Sequence, residues 1–142
     1  MSLDVRIGRD AVDVDVVHGW LSRESYWAAG IPRDVVERAL DHSLCFSGYL
    51  GDRQVAFARV VTDCATFAYL ADVFVLEDAR GHGISARLMD AVLAHPGLQG
   101  LRRFMLATRD AHGLFARYGF APPAHPDSLM ERYAADVYAG AS

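Results

Sequence analysis

The sequence predicts an α+β domain: a mostly antiparallel central sheet with one parallel crossover, flanked by about four helices. Three observations carry this. The apolar runs Leu44–Leu50 and Gln54–Thr62 are joined by Gly51-Asp52-Arg53, which reads as a β-hairpin. Phe67–Val75 is long and nearly all apolar, as in an interior strand buried on both faces. A glycine-bearing loop then opens a helical pattern over Ile84–His95, and a strand follows at Arg103–Ala107. That strand–helix–strand order is a parallel crossover.

The remaining elements follow in chain order. Val5–Ile7 reads as a short first strand. Val12–Leu21 reads as a helix from the spacing of Val12, Val16, Val17, Trp20 and Leu21. Ile31-Pro32-Arg33-Asp34 begins a second helix, with Pro32 near its first turn and Val35, Val36, Ala39 and Leu40 on one side. Ile84, Leu88, Ala91 and Val92 share a face of the third helix, which His95-Pro96-Gly97 stops. Asp110–Tyr118 reads as a short fourth helix, with Asp110 as N-cap and Gly119 as its stop. Phe120 and Leu129–Tyr133 read as last strands. The chain has 142 residues, one domain's length, and the expected unit is residues 4–137.

Composition narrows the function classes. Hydrophobic residues make up 52% and charged residues 23%, which is globular rather than disordered. Fourteen basic and 18 acidic groups give a net charge of -4, and this argues against nucleic acid as a partner. No apolar run reaches the ~18 residues of a membrane span, and Met1–Asp10 lacks the apolar stretch of a signal peptide. The two cysteines, Cys45 and Cys64, form no CxxC or Cys/His cluster, so neither a disulfide framework nor a metal site is expected. The expected compartment is the cytoplasm.

The most informative segment is Val73-Phe74-Val75-Leu76-Glu77-Asp78-Ala79-Arg80-Gly81-His82-Gly83-Ile84-Ser85. A strand ends, a turn with two glycines follows, and a helix begins. The first turn of a helix has backbone N–H groups without intrahelical partners, and the helix dipole is positive there. Gly81 and Gly83 let a bulky anion approach the backbone, and Arg80 adds a charge-assisted contact. Together these features describe a pyrophosphate site. Neither the Walker loop nor the Gly-x-Gly-x-x-Gly dinucleotide loop matches, since Gly-Lys-Ser/Thr is absent and Ala86 stands where the third glycine belongs.

Arg80-Gly81-His82-Gly83-Ile84-Ser85 resembles the acyl-coenzyme A motif of the GNAT superfamily of N-acetyltransferases, Arg/Gln-x-x-Gly-x-Gly/Ala, with Ser85 at the last position. Leu114-Phe115-Ala116-Arg117-Tyr118-Gly119-Phe120 is similar to that family's Leu-Tyr-x-x-x-Gly-Phe segment. The resemblance spans roughly Asp4 to Tyr133. It implies a GNAT-like fold and acetyl-CoA as cosubstrate. It also implies an acetyl group moved to a primary amine of a small molecule or peptide by direct attack. Acetyl-CoA would lie on the Arg80–Ser85 loop, with the backbone of Val73, Phe74 and Val75 along the pantetheine arm and Phe74 or Val75 donating to the oxyanion. A homodimer is a further implication.

Other roles have two readings each. Asp72, a carboxylate in an apolar strand, is either the general base or an ion-pair partner of Arg59. His112 is a second candidate base, or a capping or surface histidine. The family's acidic Tyr is replaced by Phe115, and its Asn by Thr108. Tyr118, one helical turn on, is either a substitute acid or a packing aromatic. His82 reads as a loop residue near phosphate. Tyr26 and Trp27 wall the acceptor cleft or close the core, and Arg33 meets an acceptor carboxylate or faces solvent. The alternatives to an enzyme are an acyl-CoA-binding module without turnover and a protein-interaction domain with a degraded site.

Overall fold

A computed structural model describes residues 2–139. Five strands form one sheet in the order β1-β2-β3-β4-β5: β1 is Asp4–Ile7, β2 Leu44–Leu50, β3 Arg53–Thr62, β4 Phe67–Val75 and β5 Arg103–Leu106. All neighbours pair antiparallel except β4 and β5, which are parallel. The crossover between that pair carries α3, Ile84–Ala94. Helices α1 (Val14–Arg23) and α2 (Arg33–Asp41) precede the hairpin, and α4 (His112–Ala116) follows β5. Fold class, hairpin, crossover and four α-helices all agree with the sequence reading.

The apolar periodicity places two cores on the sheet. Ile84, Leu88, Met89 and Val92 of α3 pack on Phe46, Val60, Ala68 and Leu70. Val17 and Leu21 of α1 and Val36 and Leu40 of α2 pack with Cys45, Phe57 and Phe74. Buried Gln54 ties the second layer to the sheet. Its Oε1 accepts from the Asp13 N–H at 2.7 Å, and its Nε2 donates to the Ala56 carbonyl at 3.1 Å. Asp13 is also the N-cap of α1, accepting from the Val16 N–H at 3.3 Å, so that helix starts two residues later than the apolar spacing suggests.

Several boundaries depart from expectation. The hairpin turn is the two residues Gly51-Asp52, because Leu50 pairs with Arg53 and Gly51 takes φ 61, the left-handed geometry such turns need. Strand β4 is not buried on both faces: its burial alternates at the start, leaving Phe67 and Tyr69 exposed. Asp110 does not cap α4. The Thr108 hydroxyl accepts from the Ala111 N–H at 3.1 Å, and the helix begins only at His112. Phe120 and Leu129–Tyr133 form no strands. Between them Pro122, Pro123 and Pro126 withhold backbone donors. Phe120 instead packs edge-on against Phe104, with ring centroids 5.4 Å apart.

The two cysteines have opposite environments. Burial pushes the Cys45 thiol up to about 11, whereas Cys64 is exposed at φ 58 in the β3–β4 turn. Asp63 holds that turn by accepting from the Thr66 hydroxyl and from the N–H groups of Thr66, Ala65 and Phe67, which keep its carboxyl well below the usual range. At pH 8 the native protein is expected to react rapidly at one thiol, Cys64, with the second equivalent appearing only in denaturant. Rapid reaction of both would contradict the burial of Cys45. The raised Cys45 value has a second consequence. Its stabilising contribution is whole below the ordinary thiol value of 9.0 and is lost as pH rises toward about 11.

Candidate active site

The site arises where β4 and β5 part. Their pairing ends at Leu70 opposite Leu106, while β4 continues to Val75. On its other edge β4 carries a bulge: Phe57 pairs with Phe74 but Arg59 pairs with Ala71, so β4 holds one extra residue between them. Asp72 sits in that bulge at φ 56, a left-handed conformation that Asp tolerates better than most residues. The opening is a cleft of about 950 Å³, walled by α1, the α1–α2 loop, β4, the Arg80–Ser85 loop, the β5–α4 loop and α4.

One part of the cleft is built from backbone. Gly81 and Gly83 have φ 84 and 70, and a Cβ added to either would meet nothing within 4 Å. Gly83 is the N-cap of α3 and offers no side-chain cap, and the first turn carries no acidic residue. The N-terminal N–H groups of α3 therefore face open space with the helix dipole behind them. Arg80 donates from Nε to the Val75 carbonyl at 3.1 Å, which anchors its guanidinium beside this turn. These features fit the pyrophosphate of a nucleotide cosubstrate. The Leu76 N–H bonds to the Val55 carbonyl of β3 at 2.8 Å. Strand alternation then turns the backbone groups of Val75 the other way, into the gap beside β5.

At the other end an aromatic chain crosses the cleft. Trp20 of α1 stacks on Phe74, with centroids 4.5 Å apart and planes 9° from parallel. Trp27 stands 5.6 Å from Trp20 and 5.0 Å from Tyr26. The Trp27 indole donates to Asp72 Oδ1 at 2.8 Å, and Arg59 Nε donates to Asp72 Oδ2 at 2.7 Å. The Arg59–Asp72 side chains are only 19% and 11% exposed, so this pair is largely desolvated. Arg59 also donates to the Ser43 hydroxyl at 3.1 Å.

The cleft gathers most of the sequence-derived candidates: Tyr26, Trp27, Asp72, Val73, Phe74, Val75, Arg80, Gly81, Gly83, Ile84 and Ser85. It does not gather His82, His112, Tyr118 or Arg33. Tyr118 packs against the α3-side core. Arg33 is occupied on the surface by Asp15 at 2.6 Å and Glu37 at 3.1 Å, which together raise its pKa. Residues that the sequence did not single out for the site include Trp20, Glu24, Tyr69 and Arg109. Trp20 carried a signal, its position on the apolar face of α1. Arg109 carried none, because its site depends on where the β5–α4 loop lands. Among the described residues no group of three His, Cys, Asp or Glu side chains is placed to hold a metal ion, and no helix is long and apolar enough to cross a membrane.

Comparison with known proteins agrees with this geometry. The model of the acetyltransferase (GNAT) family matches residues 14–120. A curated "putative acetyltransferase" of Gibberella zeae is 34% identical over 128 residues, covering 75% of this chain and 71% of that protein. The crystal structure of a "putative acetyltransferase belonging to the gnat family" from Xanthomonas campestris is 58% identical, with a TM-score of 0.96 and 98% of each chain covered. An acetyltransferase structure from Clostridium acetobutylicum, described with acetyl-CoA, shares the fold at 14% identity, with a TM-score of 0.68 and 93% and 96% coverage.

Proposed function

This chain belongs to the acetyltransferase (GNAT) family, and we propose that it moves the acetyl group of acetyl-CoA to a primary amine by direct attack. The observation that carries the reading is the uncapped N-terminus of α3 behind two left-handed glycines, opening into the same cleft as the parted end of β4. Acetyl-CoA supplies the activated thioester. In this reading the backbone N–H groups of Gly81, Gly83, Ile84 and Ser85, with the Arg80 guanidinium, hold its pyrophosphate. The backbone of Val73 and the N–H of Val75 lie along the pantetheine arm, the Val75 carbonyl being taken by Arg80.

Each remaining task has a residue. Alternation along β4 makes the Val75 N–H the donor to a developing oxyanion, in preference to Phe74. Asp72 is the carboxylate on the same strand, three residues before that donor. Each of its oxygens accepts one hydrogen bond and keeps a second lone pair, so it can take the amine proton directly or through water. Trp27 and Arg59 fix the direction of those lone pairs. No hydroxyl stands at Phe115 to protonate the departing thiolate, and the ordinary thiol pKa of about 8.5 lets it leave unaided and take its proton from water. Tyr26 and Trp27 wall the acceptor end.

The test is thiol release from acetyl-CoA against a panel of amines, with mass spectrometry of the product. Stoichiometric N-acetylation of at least one amine is expected. Coenzyme A binding without release on any amine would leave a binding module, and the transfer reading would fall.

A further inference from the structure

The cleft is lined by three arginines, and two are already committed. Arg59 is paired with Asp72, and Arg80 is anchored at the pyrophosphate turn. The third, Arg109, has no carboxylate partner among the described residues. Its guanidinium lies over the Tyr26 ring, 3.8 Å from the centroid. Its own backbone N–H donates to the Tyr26 hydroxyl at 3.1 Å. One aromatic residue therefore holds Arg109 by both side chain and backbone, across the gap between the α1–α2 loop and the β5–α4 loop. Stacking fixes the plane of the fork but leaves its N–H edges free, and a planar fork of that kind recognises a carboxylate through two parallel hydrogen bonds.

Position adds to the argument. Tyr26 meets Trp27 edge-on, and Trp27 donates to Asp72. Arg109 thus joins the aromatic chain that leads to Asp72. Glu24, Asp72 and Asp110 also line the cleft, so its charge is mixed rather than uniformly acidic. Mixed charge suits an acceptor that is itself a zwitterion.

We propose that Arg109, oriented by Tyr26, is an anion-recognition group for the acceptor, and that the acceptor is an amine bearing a carboxylate: an amino acid or short peptide attacked at its α-amino group. This rests on the acetyltransferase reading above and names its substrate class. The acid–base chemistry fits. The α-amino group of a peptide has a pKa of about 7.7–8.0, so roughly a third is unprotonated near pH 7.5, against about one part in a thousand for an alkylamine at about 10.4. The α-amine of a peptide, the member of this class that best fits, asks little of Asp72, whose two oxygens already serve Trp27 and Arg59.

The experiment compares glycyl-phenylalanine with its C-terminal amide as acceptors for the full chain, and repeats both with Arg109→Gln. The wild type is expected to favour the acid in kcat/KM by about 10-fold or more, the scale of a charge-assisted fork. Arg109→Gln is expected to bring the ratio near one through KM, and Arg109→Lys to restore part of it. The KM for acetyl-CoA should not follow. An unchanged ratio in Arg109→Gln would overturn the proposal, as would a loss confined to acetyl-CoA affinity, which would move Arg109 to the coenzyme. Binding is read separately by fluorescence, since both tryptophans of the chain, Trp20 and Trp27, line the cleft. Acid-selective quenching that Arg109→Gln abolishes supports the anion site even without turnover, and then only the transfer reading fails. Quenching by neither ligand, with neither acetylated, overturns the acceptor class and leaves coenzyme binding to be judged on its own.

Discussion

Gly83→Val is expected to abolish coenzyme A binding, with an affinity loss of roughly 100-fold or more. Two effects act together. Gly83 has φ 70, where a β-branched residue is strained, so the turn must shift to admit valine. The new side chain would also enter space that is open now, in front of the uncapped N–H groups of α3. Two or three hydrogen bonds to a charged ligand are lost at once, each worth about 1.5–3 kcal/mol. Isothermal titration of acetyl-CoA reads the loss, and a thermal melt separates it from unfolding. Gly81→Ala is the milder companion. It has the same left-handed backbone but a smaller side chain, and an intermediate loss is expected.

Asp72→Ala is expected to destabilise the protein by about 3 kcal/mol. Removing one member of a buried ion pair leaves the other charge uncompensated. Here Arg59 would keep only its hydrogen bond to Ser43, and the Trp27 indole would lose its acceptor. Alanine would also have to adopt φ 56. Asp72→Asn separates chemistry from architecture. Asparagine tolerates the left-handed backbone and can still accept from Trp27, but it cannot carry a proton away from an amine. A fall in kcat with unchanged acetyl-CoA affinity is expected for it, together with a changed pH–rate profile. A preserved profile would confine Asp72 to positioning Trp27 and Arg59.

How much of this could be read from the sequence differs between the two ends of the cleft. The anion end was legible because its determinants are local. Gly81, Gly83 and Arg80 lie within four residues, directly after a strand and before a helix whose apolar face is plain. The two readings of Asp72 were legible as a pair, since an acid in an apolar strand needs a partner, and Arg59 is one strand away. The aromatic end was legible only in Tyr26 and Trp27, because it is assembled from α1, the α1–α2 loop and the β5–α4 loop, which meet only after the sheet forms. Arg33 illustrates the error. It is close to Tyr26 in sequence, but the first turn of α2 directs it to Asp15 and Glu37. Arg109 is 83 positions from Tyr26 and lies on its ring. The C-terminal strands failed for a different reason. Leu129–Tyr133 has strand-like composition, but a strand needs a paired neighbour, and the sheet ends at β5 with no strand beyond it among the described residues.

The most direct test of the whole account is a calorimetric titration of acetyl-CoA into the wild type and into Gly83→Val. One site per chain is expected in the wild type, and no measurable heat of binding in a folded variant. Equal binding by both proteins, or none by the wild type, would make the Arg80–Ser85 segment a structural turn and contradict the placement of the cosubstrate on which every catalytic assignment here depends.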